Sequence, residues 1–304
     1  MEVKKVHKKE IKEFTSLNKN SAQFEKAVKN LWNNGLSFPN WCFTIAQEGK
    51  IVGRVGYWAP ADNHKEVRIF GLSLPWQSDN LFQIGQELLK ESFKTMQDYG
   101  VEYIDSQLDS SEEDIFVLSQ KLYKHVGLNQ IQAKKRYKLD ISEYDYTGNN
   151  RLNYRPLKEM GEDYFIDIIK EVTKGTFDKE DKLNIEKDGE YEAAKKHYCS
   201  LKSIDYSPDN WFIAYHNKEL VGLVIPQHLN GDLGTINYIG VIPAKRGNGY
   251  VTDLLDKGIK NLIKRDINEI IADIDIENYP MEEALLKMGF TKEKELLNYR
   301  KELN

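Results

Sequence analysis

Val241-Ile242-Pro243-Ala244-Lys245-Arg246-Gly247-Asn248-Gly249-Tyr250-Val251 is the stretch whose reading decides the fold. An apolar run, residues 236–242, leads into it, and an amphipathic run, 252–263, follows. The order is strand, glycine-containing loop, helix start. Such a junction suits phosphate because unpaired backbone N–H groups converge at the first turn of a helix, where the helix dipole also favours an anion. Gly247 and Gly249 let the backbone approach a ligand with no Cβ in the way. Lys245 and Arg246 add positive charge beside the loop, the Arg246 guanidinium being suited to a charge-assisted contact.

The rest of the chain limits what this loop serves. Its 304 residues favour two domains, and a net charge of −5 gives no global attraction to nucleic acid. No apolar run reaches membrane-spanning length, and residues 1–12 are rich in Lys and Glu rather than apolar, so a cytoplasmic protein without a membrane partner is expected. Cys42 and Cys199 sit in apolar or helical contexts and read as reduced residues in or near the core. The six histidines show no metal-ligand spacing, so no metal site is expected.

Two halves echo each other. Phe43-Thr44-Ile45-Ala46 with Lys50 and Gly53 is repeated as Trp211-Phe212-Ile213-Ala214 with Lys218 and Gly222, each reading as a strand hairpin. Gly127 precedes Tyr137 by ten residues, as Gly289 precedes Tyr299, each glycine closing an amphipathic helix. A repeat this long means duplicated domains rather than a solenoid. The polar stretch 145–150 separates them, giving domains 1–145 and 151–304. In the second half, Phe165, Ile168, Ile169 and Val172 predict a helix over 162–173. Leu254, Leu255, Ile259, Leu262 and Ile263 predict another over 252–264, with Gly258 explained by close packing on a sheet. Residues 174–178 read as a mobile loop, and 178–182 as a solvated charge run or an acidic lid.

The loop and its surroundings resemble the GNAT acyltransferases. Arg246, Gly249 and the Val241/Pro243 lead-in fit that family's cofactor loop, while Val251 stands where Gly or Ala is usual. The resemblance is good over 151–303 and eroded over 1–141, where residues 74–81 replace the phosphate loop. It implies an α+β fold with a mixed, mostly antiparallel sheet flanked by helices, built as two tandem domains with a degenerate first copy. It also implies acetyl-CoA as cofactor. The strand carrying Ile239 and Val241 would pair with the cofactor arm, with Gly240 as a bulge, and its backbone would donate to the thioester carbonyl. Lys245, Arg246, Gly247, Asn248, Gly249, Tyr250 and Val251 would hold the phosphates. Asn278 would touch the cofactor arm or cap the last helix.

The proton chemistry is less defined. Asp273 and Asp275, two apart on a strand, share a face and are candidates for general base, with Tyr238 a further catalytic candidate. The family's general-acid Tyr position is Leu285 here, and Tyr123 in the first half reads as core; Tyr250 and Tyr279 are alternative donors. The expected reaction is direct acetyl transfer to a primary amine of a small molecule by the second half of a monomer or homodimer. The first half would support the fold or wall the acceptor cleft. Alternatives are a non-catalytic CoA-binding protein and an aminoacyl or peptidyl transferase.

Overall fold

The structure, a computed structural model, describes residues 1–17, 20–60, 63–146, 148 and 151–303. Three residues of the boundary stretch, 147, 149 and 150, lie outside the described residues, as does 304. The first half runs β1 (Glu2–Lys5), α1 (Ile11–Thr15), α2 (Ser21–Asn33), β2 (Cys42–Gln47), β3 (Lys50–Trp58), β4 (Glu66–Ser73), α3 (Leu81–Asp98), β5 (Tyr103–Asp109), α4 (Glu113–Val126) and β6 (Asn129–Asp140). The second runs β7 (Asn153–Pro156), α5 (Leu157–Met160), α6 (Glu162–Thr173), α7 (Lys179–Asp188), α8 (Glu190–Lys202), β8 (Phe212–His216), β9 (Glu219–Asn230), β10 (Leu233–Val241), α9 (Tyr250–Ile263), β11 (Glu269–Asp275), α10 (Tyr279–Lys287) and β12 (Thr291–Glu302). The repeated hairpins are thus β2–β3 and β8–β9, and Tyr137 and Tyr299 lie on the closing strands β6 and β12.

Two compact units form, 1–131 with 296–304, and 132–295. Each closing strand therefore contributes most of its length to the unit built mainly by the other half. In the first unit β1 to β5 are neighbours in order, and residues 296–302 of β12 pair antiparallel with β5. In the second, β6 pairs antiparallel with β11, and the order continues β10, β9, β8, β7. Parallel pairing joins β4 to β5 and β10 to β11, within otherwise antiparallel pairings.

The apolar periodicity becomes the packing of the second unit. On α9, Leu254, Leu255, Ile259 and Leu262 are fully buried against β9 and β10. Each such side chain contributes about 1.5–3 kcal/mol by leaving water. A Cβ at Gly258 would stand 2.7 Å from Ile236 Cδ1, so the glycine does permit close approach of the helix to the sheet. On the opposite face α6, bounded as its sequence predicts, buries Phe165, Ile168, Ile169 and Val172 with Tyr198 and Trp211.

Several local expectations are corrected. The charge run 178–182 is not a loop: Asp178 caps α7 by accepting from Glu180 and Asp181 N–H, and the helix follows directly. Cys199 is exposed, whereas Cys42 is buried and its thiol is pushed up to about 12 by desolvation. Tyr123, by contrast, is core as its sequence reads, its hydroxyl 2.7 Å from Ser106 Oγ and its ring edge-on to Tyr299.

Candidate active site

β10 and β11 run side by side for only three residues, 233–235 against 269–271, and then part. On its other side β10 stays paired with β9 out to Val241, but the register slips between Ile236 and Tyr238. The bulge therefore falls at Asn237. Gly240 is not the bulge: it pairs with Leu223, and its missing side chain serves α6 instead, since a Cβ would stand 2.7 Å from Val172 Cβ. A bulge bends its strand and increases the twist, which accounts for the divergence. The wedge between the strands is a cavity of about 320 Å³ that Tyr238, Ile239, Asp275 and Asn278 help to line.

At the end of β10 the chain enters the glycine loop. Gly247 and Gly249 take φ of +77° and +70°, a region costly for residues with a Cβ. Among the described residues, the N–H groups of 247–251 meet no backbone acceptor. Asn248 Nδ2 closes the turn onto the carbonyls of Lys245 and Arg246. The matching loop of the first unit is different. There Trp76 N–H donates to Leu74, Ser78 N–H to Pro75 and Leu81 N–H to Ser78, so the turn consumes its own donors. The first loop therefore has fewer N–H groups left for an anion than the second.

The basic side chains beside the loop are spent otherwise than the sequence suggests. Arg246 donates from Nε to Val241 O (3.0 Å), from Nη1 to Gly175 O (3.3 Å), and from Nη2 to Val172 O (2.9 Å) and Lys174 O (2.7 Å). It fastens the end of α6 and residues 174–175, the start of the 174–178 segment expected to be mobile, to the end of β10. Lys245 pairs with Glu219, whose carboxyl its ammonium holds below the usual range. Arg151, which sequence reasoning did not single out, lies over the Tyr250 ring at 4.6 Å and 3.4 Å from where a Gly249 Cβ would stand. Tyr250 OH is 2.9 Å from His216 Nδ1, a contact that occupies this alternative proton donor. Asn278 caps α10 through Met281 N–H (3.3 Å) and also borders the cavity. Val251 opens α9 on its half-buried side.

The expected carboxylate pair is present but engaged. Asp273 makes a two-point ion pair with Arg136 directly across on β6, both contacts 2.7 Å. Asp275 is buried and accepts from Gln132 Nε2 (3.3 Å), Lys179 N–H (3.2 Å) and Glu277 N–H (3.3 Å). It fixes the entry to α7. Leu285 is wholly buried, so no phenol stands at that position.

A second set of groups lines the same cavity. Tyr238, next to the bulge, packs its ring against His197 with centroids 4.4 Å apart. His197 Nδ1 lies 3.9 Å from Asp181 Oδ1, and its Nε2 is sealed from solvent without a hydrogen-bond partner among the described residues. Burial, then the neighbouring Asp178 and Glu180, raise Asp181 to about 7, against the opposing charge of Lys134. Burial lowers His197 to about 4, which keeps it neutral. Burial and the Asp181 and Asp178 carboxyls hold Tyr238 well above the ordinary phenol range. Sequence reasoning had Asp181 only within a charge run and did not find His197. A signal was there: Asp178-x-x-Asp181 is a helix cap followed by an inward first-turn position, and His197 has its apolar neighbours Ala193, Ala194 and Leu201 at helical spacing.

Comparison with known proteins adds to this geometry. Residues 179–290 match the model of the Acetyltransferase (GNAT) family. Two mycothiol acetyltransferases are similar over part of the chain. That of Catenulispora acidiphila is 27% identical over 93 residues, 29% of this chain and 30% of the relative. That of Streptomyces bingchenggensis is 29% identical over 98 residues, 32% of each. The chain thus matches about a third of the length of these curated relatives. Among solved structures, a GCN5-related N-acetyltransferase from Sphaerobacter thermophilus superposes with a TM-score of 0.67 at 13% identity, covering 99% of this chain and 95% of that one. A tandem GNAT protein from the clavulanic acid biosynthesis pathway does so with a TM-score of 0.61 at 12% identity, covering 99% and 98%. At such identities the two structures speak for the fold.

Proposed function

From the premise that the C-terminal region carries a GNAT domain, we propose that the protein transfers the acetyl group of acetyl-CoA to a primary amine of a small molecule, at the cavity of the second unit. The observation that carries this reading is the conjunction of the parted strands, the bulge at Asn237 and the N–H groups of 247–251, which meet no backbone acceptor among the described residues. The residues fit the cofactor: an open Gly247, with nothing within 4 Å of a Cβ built there, leaves room for a diphosphate against those donors. Acetyl-CoA supplies an activated acyl thioester. The chain supplies the rest. The loop N–H groups bind the phosphates, and the unpaired edge of β10 beyond Thr235 offers backbone partners to an extended arm. Donors near the bulge stabilise charge on the carbonyl oxygen. Ile239 and Asn278 form the cavity wall, and Tyr238 stands as a protonated phenol able to donate to a leaving thiolate. Asp273 and Asp275 act here by holding β6 and α7 in place.

The name of the mycothiol acetyltransferases agrees with an acetyl acceptor of low molecular mass. Calorimetric titration of the full chain with acetyl-CoA, followed by thiol release in the presence of primary amines, tests the reading. Saturable binding with amine-dependent thiol release is expected; binding with no release from any amine would make the protein a non-catalytic CoA binder, a reading favoured by the buried Leu285.

A further inference from the structure

Resting on that acyl-transfer reading, we infer that Asp181 is the group that takes the proton from the acceptor amine. It is 9% exposed and lines the cavity from the first turn of α7. Thr176 Oγ1, 3.5 Å from Oδ2, His197 and the Tyr238 hydroxyl are its side-chain neighbours there, and none of them neutralises it. His197 in turn packs on Tyr238, the residue after the bulge, so the carboxyl is tied to the part of β10 where an acyl carbonyl would lie. The two carboxylates of β11 are committed to Arg136 and to backbone N–H groups, Asp178 caps α7 and pairs with Lys134, and Glu180 is largely exposed, which leaves Asp181 as the buried cavity carboxyl open to an amine.

The groups facing it set its proton affinity. Asp178 and Glu180 on its own side raise it, as burial does, and Lys134 from β6 opposes them. Lys134 Nζ sits 3.3 Å from Asp178 and 3.9 Å from Glu180, so its charge is shared. His197 from α8 stays neutral, and Tyr238 from β10 stays protonated. The result near 7 suits a base at neutral pH. The step balances: the carboxylate takes one proton from the ammonium, and the freed lone pair forms the C–N bond to the thioester carbonyl carbon. The C–S bond then breaks, the leaving thiolate takes the Tyr238 proton, and the phenolate takes the amine's second proton.

Two measurements on the full chain test this. In the ligand-free protein labelled with ¹³C-aspartate, one carboxyl carbon is expected to titrate near pH 7 and to vanish in Asp181→Asn. An Asp181 that titrates with the ordinary carboxylates overturns the assignment. With acetyl-CoA, propylamine and hydroxylamine are the two acceptors compared. Propylamine must lose a proton before attack, whereas hydroxylamine is largely unprotonated at neutrality. Asp181→Asn is expected to cut the propylamine rate at least about 100-fold and the hydroxylamine rate far less. An equal loss with both would reduce Asp181 to a structural role. Absence of acetyl-CoA binding to the unmodified chain would instead defeat the acyl-transfer reading itself, whatever the titration shows.

Discussion

At the scale of single residues, Arg246 shows how a motif position can be right in place and different in use. Four of its five N–H donors meet carbonyls of residues 172–175 and 241. Its removal would leave those carbonyls open and free the segment before α7. Arg246→Ala is expected to lower acetyl-CoA affinity several-fold and to reduce the melting temperature; calorimetry and thermal unfolding read the two effects. Arg246→Lys should rescue little of either, because a point ammonium cannot span carbonyls arranged around a planar fork. Unchanged affinity and stability in the alanine variant would refute this double role. Asp181 gives a prediction of opposite sign. A buried carboxyl raised from 3.8 to about 7 costs nothing below its unfolded value, because it is protonated in both states. The cost grows from pH 4 to 7 and is complete above. Asp181→Asn should therefore be no more stable than the parent at pH 4 and more stable at pH 8, by ~1.4 kcal/mol for each tenfold weakening of acidity. Stability gained together with activity lost would mark a site strained for function. Melting curves at the two pH values check it, and an identical difference at both would count against the burial argument.

At the scale of elements, the contact between β9, β10 and α6 decides whether the wedge keeps its shape. Gly222 faces Gly240 so closely that a Cβ would stand 2.0 Å from the Gly240 carbonyl oxygen. Backbone cannot rotate away as a flexible side chain can, so Gly222→Ala must push the strands apart. A loss of about 1–3 kcal/mol or more is expected, with weakened acetyl-CoA binding from the displaced bulge. Gly247→Ala meets no atom within 4 Å yet keeps a φ of +77°, so its penalty should be the smaller one and confined to the loop. Denaturant unfolding of the two variants separates crowding from backbone strain. These elements were largely legible in the sequence. The helix over 162–173 and the hairpin at 211–226 follow from apolar periodicity, a local property that survives folding. The bulge was misplaced at Gly240 because a glycine in a strand signals either a bulge or a close approach, and only the position of Val172 distinguishes the two.

At the scale of the whole molecule, the pairing of β6 with β11 was not legible, because the contacts of β6 in the second unit join residues from 44 to 147 positions apart. Arg136 meets Asp273, Lys135 and Tyr137 meet Glu282, and Lys134 meets Asp178. No periodicity in either segment announces such a pair, and the repeat itself argued for a boundary at 145–151. Yet the cavity takes Lys134 from before that boundary, and β11 takes its antiparallel neighbour from there. A fragment 151–304 would lack β6, leaving Ile270 and Ile274 along an open edge and Asp178, Glu180, Glu269, Asp273 and Glu282 without their β6 cations. We expect it to aggregate or to bind no acetyl-CoA, since exposed strand edges recruit other chains. A fragment 132–295 keeps the strand and sheds residues 296–304, which belong to the other unit. It should fold and bind acetyl-CoA within a few-fold of the full chain. Circular dichroism and calorimetry on the two fragments decide it: equal folding and binding would show that β6 is dispensable and that the sequence boundary at 145–151 is also the boundary of the folded unit.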